Sequence, residues 1–519
     1  MIKNINLEAL IVFAALFGVV AIVGFLSGRW NRASASPLSE WGLGGRRFGT
    51  IITWFMLGGD VYTAYTFVAV PALMFGAGAM GFFSVLTMML VYPILFAIFP
   101  RLWSVSHARG YVTAADFVRG RFGNHILALA IALTGIVATM PYIALQLVGF
   151  EVVIAGLGIH FAIMVGGISV ELPLLVAFII LAAYTYTSGL RASAMISIVK
   201  TVLVYGTVIA AIVVIPAELG GYGRIFSSIA PGKLLLEPAA RGSFGAQSAY
   251  ASLGFGSALA LFLYPHSITG ILSSSSRNAI RRSAVIMPAY TVALGFIALL
   301  GFMAIAAHVA TMPSYADGFR AFGTNFAVPA LFLDMFPGWF SGIAFAAIGI
   351  GALVPAAIMS IASGNLFTRN IYREYIDLSC TPARECQVAK FAALAVMIGG
   401  LVFNLGFPRV YAVQMQLLGG IWIIQTLPAV VLGLYTRRLN PWALLVGWLT
   451  GMTTGTAMAA STGLQSSIYS VHVFGFVVPC YIAVSTLILN IVLSAVCSPV
   501  FNAMALGADG DATMAEDYI

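Results

Sequence analysis

Hydrophobic residues in this chain come in long unbroken runs, unlike the alternating or one-faced patterns of soluble strands and helices. Thirteen runs are long enough to cross a hydrocarbon core of about 30 Å, which takes about 20 apolar residues in a helix. They fall near residues 7–28, 50–75, 79–99, 125–158, 172–188, 195–217, 251–272, 286–309, 336–367, 388–406, 411–435, 441–461 and 474–497. Membrane strands would alternate over about ten residues, whereas these runs are apolar all round, so the pattern predicts an all-α integral membrane protein. The first run invites comparison with a secretory signal, because Ala33, Ser34 and Ala35 are placed like a cleavage site. Only Lys3 precedes it, however, the run is too long, and Arg29 and Arg32 lie where a signal is uncharged, so it is expected to stay as a helix.

Composition removes the soluble alternatives. Of 519 residues, 61% are hydrophobic and 8% charged, against about 25% charged in soluble domains. That excludes a nucleic-acid binder or a soluble multidomain enzyme and makes the lipid bilayer the first partner. Protein partners are not legible. The four cysteines (Cys380, Cys386, Cys480, Cys497) lack metal-ligand spacing and are expected to be reduced. Of the 25 Lys and Arg, eighteen fall in one set of alternate loops and six in the other, while Lys200 lies within a run. The positive-inside rule then predicts a multi-pass protein of the cell's inner (plasma) membrane, N-terminus outside and C-terminus cytoplasmic. The tail, with Asp509, Asp511, Glu516 and Asp517, is expected to be a disordered cytoplasmic end.

Ionisable residues well inside the runs are Asp60, Glu151 and Lys200, and each is a functional candidate because an unpaired charge there costs several kcal/mol. Asp60 follows a glycine pair, Gly58 and Gly59, with Pro71 downstream. This predicts a broken helix that exposes free carbonyls at one half-helix end and free amides at the other. The plainer alternative is a glycine pair that only lets a neighbour approach. A second break is predicted at Pro265 in Leu263-Tyr264-Pro265-His266-Ser267, where the plainer alternative is a simple kink. The breaks fall in helices two and seven. Five is odd, so two five-helix halves would have opposite orientation, the layout of an inverted-repeat transporter with its site between the breaks. Glu151, in the outer third of its helix, is expected to face a water-filled vestibule and is left out of the site.

The stretches GGRRFGTIITWFMLGGDVYTAYTFVAVPALMFGAG, YVTAADFVRGRFG, SGLRASAMISIVK, LFLYPHSITGILSSSS and AAIMSIASGNLFTRNIYREYI resemble the solute:sodium symporter family and, within it, its monocarboxylate permease branch. The resemblance covers about residues 40–497. It implies a LeuT-like core of ten helices: an extra N-terminal helix and loop (1–40), a first repeat (41–217), a second, inverted repeat (251–438), two C-terminal helices (439–497) and a tail (498–519). It also implies a Na⁺ site made by the carbonyls of Gly59, Tyr62 and Ala357 and the hydroxyl of Ser360. The family's second hydroxyl position is Ile361 here, and sodium-coupled relatives carry aspartate and glutamine where this chain has Ser197 and Lys200. Family placement assigns the substrate to Thr63, Tyr65, Thr66, Gln146, Tyr264, His266 and Gln416.

The expected function is secondary active symport of small monocarboxylates such as pyruvate, lactate or propionate, coupled to Na⁺ or H⁺ by alternating access. No enzymatic activity and no organic cofactor is expected. Symport of another small organic solute is the alternative. A transporter-like sensor is disfavoured because 22 residues follow Cys497, and a haem enzyme because the six histidines lie mostly in loops or at helix ends. An ammonium is itself a monovalent cation, so Lys200 is expected to stand where Na⁺ would, paired with Asp60 and near Ser360. Snorkelling of Lys200 to the cytoplasmic surface is the competing expectation.

Overall fold

The computed structural model describes residues 5–29, 36–159, 161–165, 168–406, 412–506 and 510–519. Lys3, Arg32, Ala33, Ser34, Ala35, His160, Arg409 and Asp509 lie outside the described residues. The membrane-type helices are α1 (Leu7–Ser27), α2a (Thr50–Val61), α2b (Val70–Ala77, entered through a π-helical turn at Tyr65–Ala69) and α3 (Phe83–Arg109). After the short α4 (Ala114–Phe122) come α5 (His125–Gly156), α6 (Leu172–Ser188), α7 (Leu190–Glu218), α8a (Gly245–Leu261) and α8b (Pro265–Leu272). The remainder are α9 (Arg277–Ala306), α10 (Gly338–Phe367), α11 (Pro382–Gly406), α12 (Val413–Leu434), α13 (Pro441–Ser461) and α14 (Ile482–Ala503).

Among the described residues ten helices are long and apolar enough to span a bilayer, or eleven when the bent pair α8a and α8b counts once. The expected thirteen is not reached on that measure. The shortfall falls on α2a, which the break cuts short, and on α6, which has 17 residues. Nor is the chain wholly helical. Strands β1 (Ala162–Val165) and β2 (Ile168–Glu171) form one hairpin, and β3 (Ile468–Val473) and β4 (Phe476–Tyr481) another. The last helix was expected from residue 474 and begins at Ile482. Val, Ile and Tyr suit strands, Pro479 resists a helix interior, and Phe474 and Gly475, at φ of 48° and 83°, form a two-residue turn.

α10 is the centre of the molecule. Gly and Ala repeat along it, so it is buried over nearly its whole length and packs against α1, α5, α7 and α11. The disordered tail expected from its acidic residues is corrected by the fold. Asp511 pairs with Arg121 at 2.9 Å, Asp517 pairs with Arg109 at 2.6 Å, and Tyr518 is buried. The acids find their countercharges on the basic loops at the same end of the bundle.

α13 and α14 pack closely because Gly447 and Gly451 present no side chain to Asn490, Ser494 and Gln425. The polar groups they admit are satisfied in place: Gln425 Nε2 donates to Thr486 Oγ1 at 2.9 Å, and Asn490 Nδ2 donates to Gln425 O at 2.9 Å. Gly451→Leu therefore forces a side chain into Gln425 and should cost about 1–3 kcal/mol, read as a lower Tm of the detergent-solubilised protein. Gly18→Leu, with nothing among the described residues within 4 Å of the new Cβ, should not lower Tm.

Candidate functional site

The first break falls at residues 62–64, just past the glycine pair and Asp60 that mark it in the sequence. Tyr62 leaves helical geometry (φ −89°, ψ 87°), although its amide still bonds to Gly58 O at 3.3 Å. The glycine pair does not itself open the helix; it admits neighbours. A Cβ on Gly58 would strike the Tyr290 ring, and one on Gly59 would lie 3.0 Å from Ser197 Oγ. The alternative reading of the pair as a close-approach device thus holds alongside the break. The second break falls at 262–264, where Tyr264 is extended, Pro265 opens α8b and the axis bends by 50°. The two breaks face one another: Asp60 Oδ2 lies 3.9 Å from His266 Nε2.

Free backbone groups inside a membrane need partners, and side chains supply them here. Lys200 Nζ donates to Gly59 O at 2.5 Å and more weakly to Gly351 O at 3.5 Å. Its side chain is 0% exposed, so it does not snorkel. Gln146 Oε1 accepts from Ala64 N at 3.1 Å, Thr63 Oγ1 accepts from Tyr65 N at 3.1 Å, and the Thr66 hydroxyl donates to Val61 O. Thr63 and Thr66, expected as substrate ligands, are thereby engaged with the break's own backbone. On the facing side, the Tyr264 hydroxyl donates to Gln416 O at 3.1 Å. Tyr142, one turn before Gln146, packs edge-on at 5.3 Å from Tyr264 and 5.4 Å from His266.

The structure brings Gly59, Asp60, Tyr62, Lys200 and His266 into one cluster, with Gln146 bonded to the first break, Tyr65 beside it, and Tyr264 and Gln416 joined to each other. Two expectations are corrected. Lys200 places its ammonium on the carbonyl that precedes Asp60 rather than directly on the carboxylate, which stays within electrostatic reach of it. From α10 the residue at the ammonium is Gly351, which also lies against Tyr62 O. Ala357 is six residues further, about 9 Å along a helix, and the Ser360 hydroxyl donates to Ala356 O of its own helix at 2.7 Å. The motif that located α10 runs from residue 356 onward, so its register favoured residues past the contact. Tyr142 was also missed; its i, i+4 spacing from Gln146 was the available signal. Glu151 is buried and accepts from Asn404 Nδ2 at 3.2 Å, so it does not face an open vestibule.

Asp60 Oδ1, both ring nitrogens of His266, Gln146 Nε2 and Gln416 Oε1 are buried without hydrogen-bond partners among the described residues. Buried polar atoms are seldom left so, and together they offer donors and acceptors for a small polar guest. A narrow crevice of about 20 Å³ lies between Leu263 and Pro265 at the second break and Ala114 at the start of α4, with Thr269 and Thr426 also in its walls.

Residues 41–455 match the sodium:solute symporter family. The chain is 48% identical over 471 residues to the "Monocarboxylate transport permease protein" of Rhizobium johnstonii (strain DSM 114642 / LMG 32736 / 3841), covering 89% of this chain and 91% of that one. It is 31% identical over 451 residues to the "Uncharacterized symporter YodF" of Bacillus subtilis (strain 168), covering 86% and 87%. Among solved structures, a Na⁺-coupled sialic acid symporter in a substrate-bound outward-open state superimposes with a TM-score of 0.74 at 16% identity, over 96% of this chain and 99% of that one. The fold is LeuT-like.

Gln146 is the test of how the first break is held. Gln146→Leu strands the Ala64 amide and should cost about 1–3 kcal/mol, seen as a lower Tm in detergent. Gln146→Glu keeps the acceptor and should recover most of the loss.

Proposed function

The chain belongs to the sodium:solute symporter family and is a cation-coupled symporter, and we propose that it imports small monocarboxylates of the pyruvate, lactate and propionate class, driven by protons. The carboxylate reading is supported by the 48% identical relative named a monocarboxylate permease. Gln146 Nε2, an N–H of His266 and the N-terminal end of α2b can receive a small anion, with Tyr142, Tyr264 and Gln416 closing around it.

One observation carries the coupling: a buried ammonium, Lys200 Nζ, on the Gly59 carbonyl to which the family resemblance assigns Na⁺. Protonated, Lys200 ties α2a to α10 through Gly59 and Gly351. Deprotonated, it loses the charge that strengthens those bonds, and α2a is freed to move. A carboxylate and a proton travelling together are electroneutral. The 41–217 and 251–438 repeats would rock about this site, in a plasma-membrane protein with its N-terminus outside. No organic cofactor takes part. A second reading, Na⁺ coupling, is favoured by the family match and by the Na⁺-coupled structural neighbour.

Uptake of labelled pyruvate into vesicles, with pH and Na⁺ gradients imposed separately, decides between them. At one proton per solute, each pH unit supplies about 1.4 kcal/mol and sustains about tenfold accumulation. The pH gradient should drive uptake without Na⁺, and Lys200→Met should abolish that response. Uptake that needs Na⁺ and ignores pH would establish the second reading, and no uptake of any short carboxylate would point to a different small solute.

A further inference from the structure

Residues 510–519 form a strap across the end of the bundle that carries α4, the helix whose first residue, Ala114, walls the crevice below Pro265. Ala512 N donates to Gly120 O at 2.7 Å, and Gly510 lies so close to Gly123 that neither has room for a Cβ. Asp511 Oδ2 accepts from Arg121 at 2.9 Å and lies 3.6 Å from Arg437, whose guanidinium also donates to Thr513 O at 3.3 Å. Further along, Asp517 accepts from Arg109 Nε at 2.6 Å. Tyr518 lies beneath Arg101, 5.0 Å from its ring centre, with its hydroxyl 2.9 Å from Thr513 Oγ1. The strap therefore holds the end of α3, the short α4 and the segment that follows α12.

α4 and α12 wall the crevice, through Ala114 and Thr426, and the strap holds the first directly and the second through the segment that follows it. Arg121 already ties them, donating to Gly433 O at 3.1 Å and Thr436 O at 2.9 Å, and Asp511 fixes Arg121 in that position. Opening the crevice at this end requires α4 and α12 to part. We propose that the 510–519 strap is a latch that resists opening of the crevice, set by the Arg109–Asp517 and Arg121–Asp511–Arg437 contacts. The proposal rests on the symporter reading of the fold but not on the choice of solute or ion.

Its test measures access directly. The full-length protein, with its four native cysteines replaced and Thr269→Cys introduced in the crevice, is placed in vesicles that present the strap-bearing face. The readout is the rate of reaction with a membrane-impermeant maleimide. Removal of residues 510–519, or the double variant D511N/D517N, should raise the rate at least fivefold. The charge swap R109D/D517R should react like the intact strap. High salt should speed labelling of the intact protein, because it screens partly exposed ion pairs, and should not change the strapless one. Rates within twofold of the intact protein in both the deletion and the double variant, with no salt effect on the intact protein, would overturn the proposal. The readout does not depend on transport, so failure of the carboxylate or proton reading leaves it standing.

Discussion

The contact between Lys200 Nζ and the Gly59 carbonyl solves two problems at once, and the rest of the site is arranged around it. A helix broken inside a membrane leaves carbonyls without donors, each costing several kcal/mol, and a lysine buried in the same place carries a charge that is costlier still. Put together, each supplies what the other lacks. The same economy recurs around the break, where Gln146 takes the Ala64 amide and Thr63 and Thr66 take neighbouring backbone groups. Asp60 and His266 remain as the polar pair whose hydrogen bonding the protein leaves incomplete.

Much of this was legible in the sequence because the signals are physical. Runs of about 20 apolar residues mark most of the spans, Pro265 marks a break, and a charge inside an apolar run, as at Asp60 and Lys200, marks a place where something compensates. Less legible was anything set by register between distant helices. No local pattern says that Gly351 meets the ammonium at the first break, since small residues recur along a helix buried all round, where burial carries no facing information. The β3–β4 hairpin was hidden because Val, Phe and Tyr read equally well as membrane helix; only Phe474-Gly475 and Pro479 argued otherwise. The tail was misjudged from its own composition, although its order depends on arginines some 400 residues earlier.

Those arginines belong to a wider pattern. Asp116 accepts from Asn370 Nδ2 at 2.8 Å and from Arg369 at 3.4 Å, Arg369 reaches Glu385 at 3.1 Å, and Arg119 pairs with Glu374. Two of the stretches that carry the family resemblance, YVTAADFVRGRFG and NLFTRNIYREYI, thus meet in one ion-pair network. Loops at this end carry the basic residues expected to set topology, and the structure gives many of the same residues a second task, holding α4 against the end of α10. Charge that orients a chain in the membrane is afterwards available to fasten it.

A cation on a side chain differs from a free ion in one respect that bears on energy coupling. Na⁺ bound between two helices can leave, and its departure down a gradient is what drives the cycle. The ammonium of Lys200 is tethered and cannot leave, so a permanently charged lysine would brace α2a against α10 without contributing any driving force. While the ammonium occupies the Gly59 carbonyl, a Na⁺ cannot take the same place, so on the proposed proton reading the exchangeable cation there would be a proton. Deprotonation would remove the charge assistance from the bonds to Gly59 and Gly351, so on that reading the step that releases the proton would also loosen the broken helix. On the proposed proton reading, coupling would need no separate relay, because the titrating group would itself bridge α2a and α10.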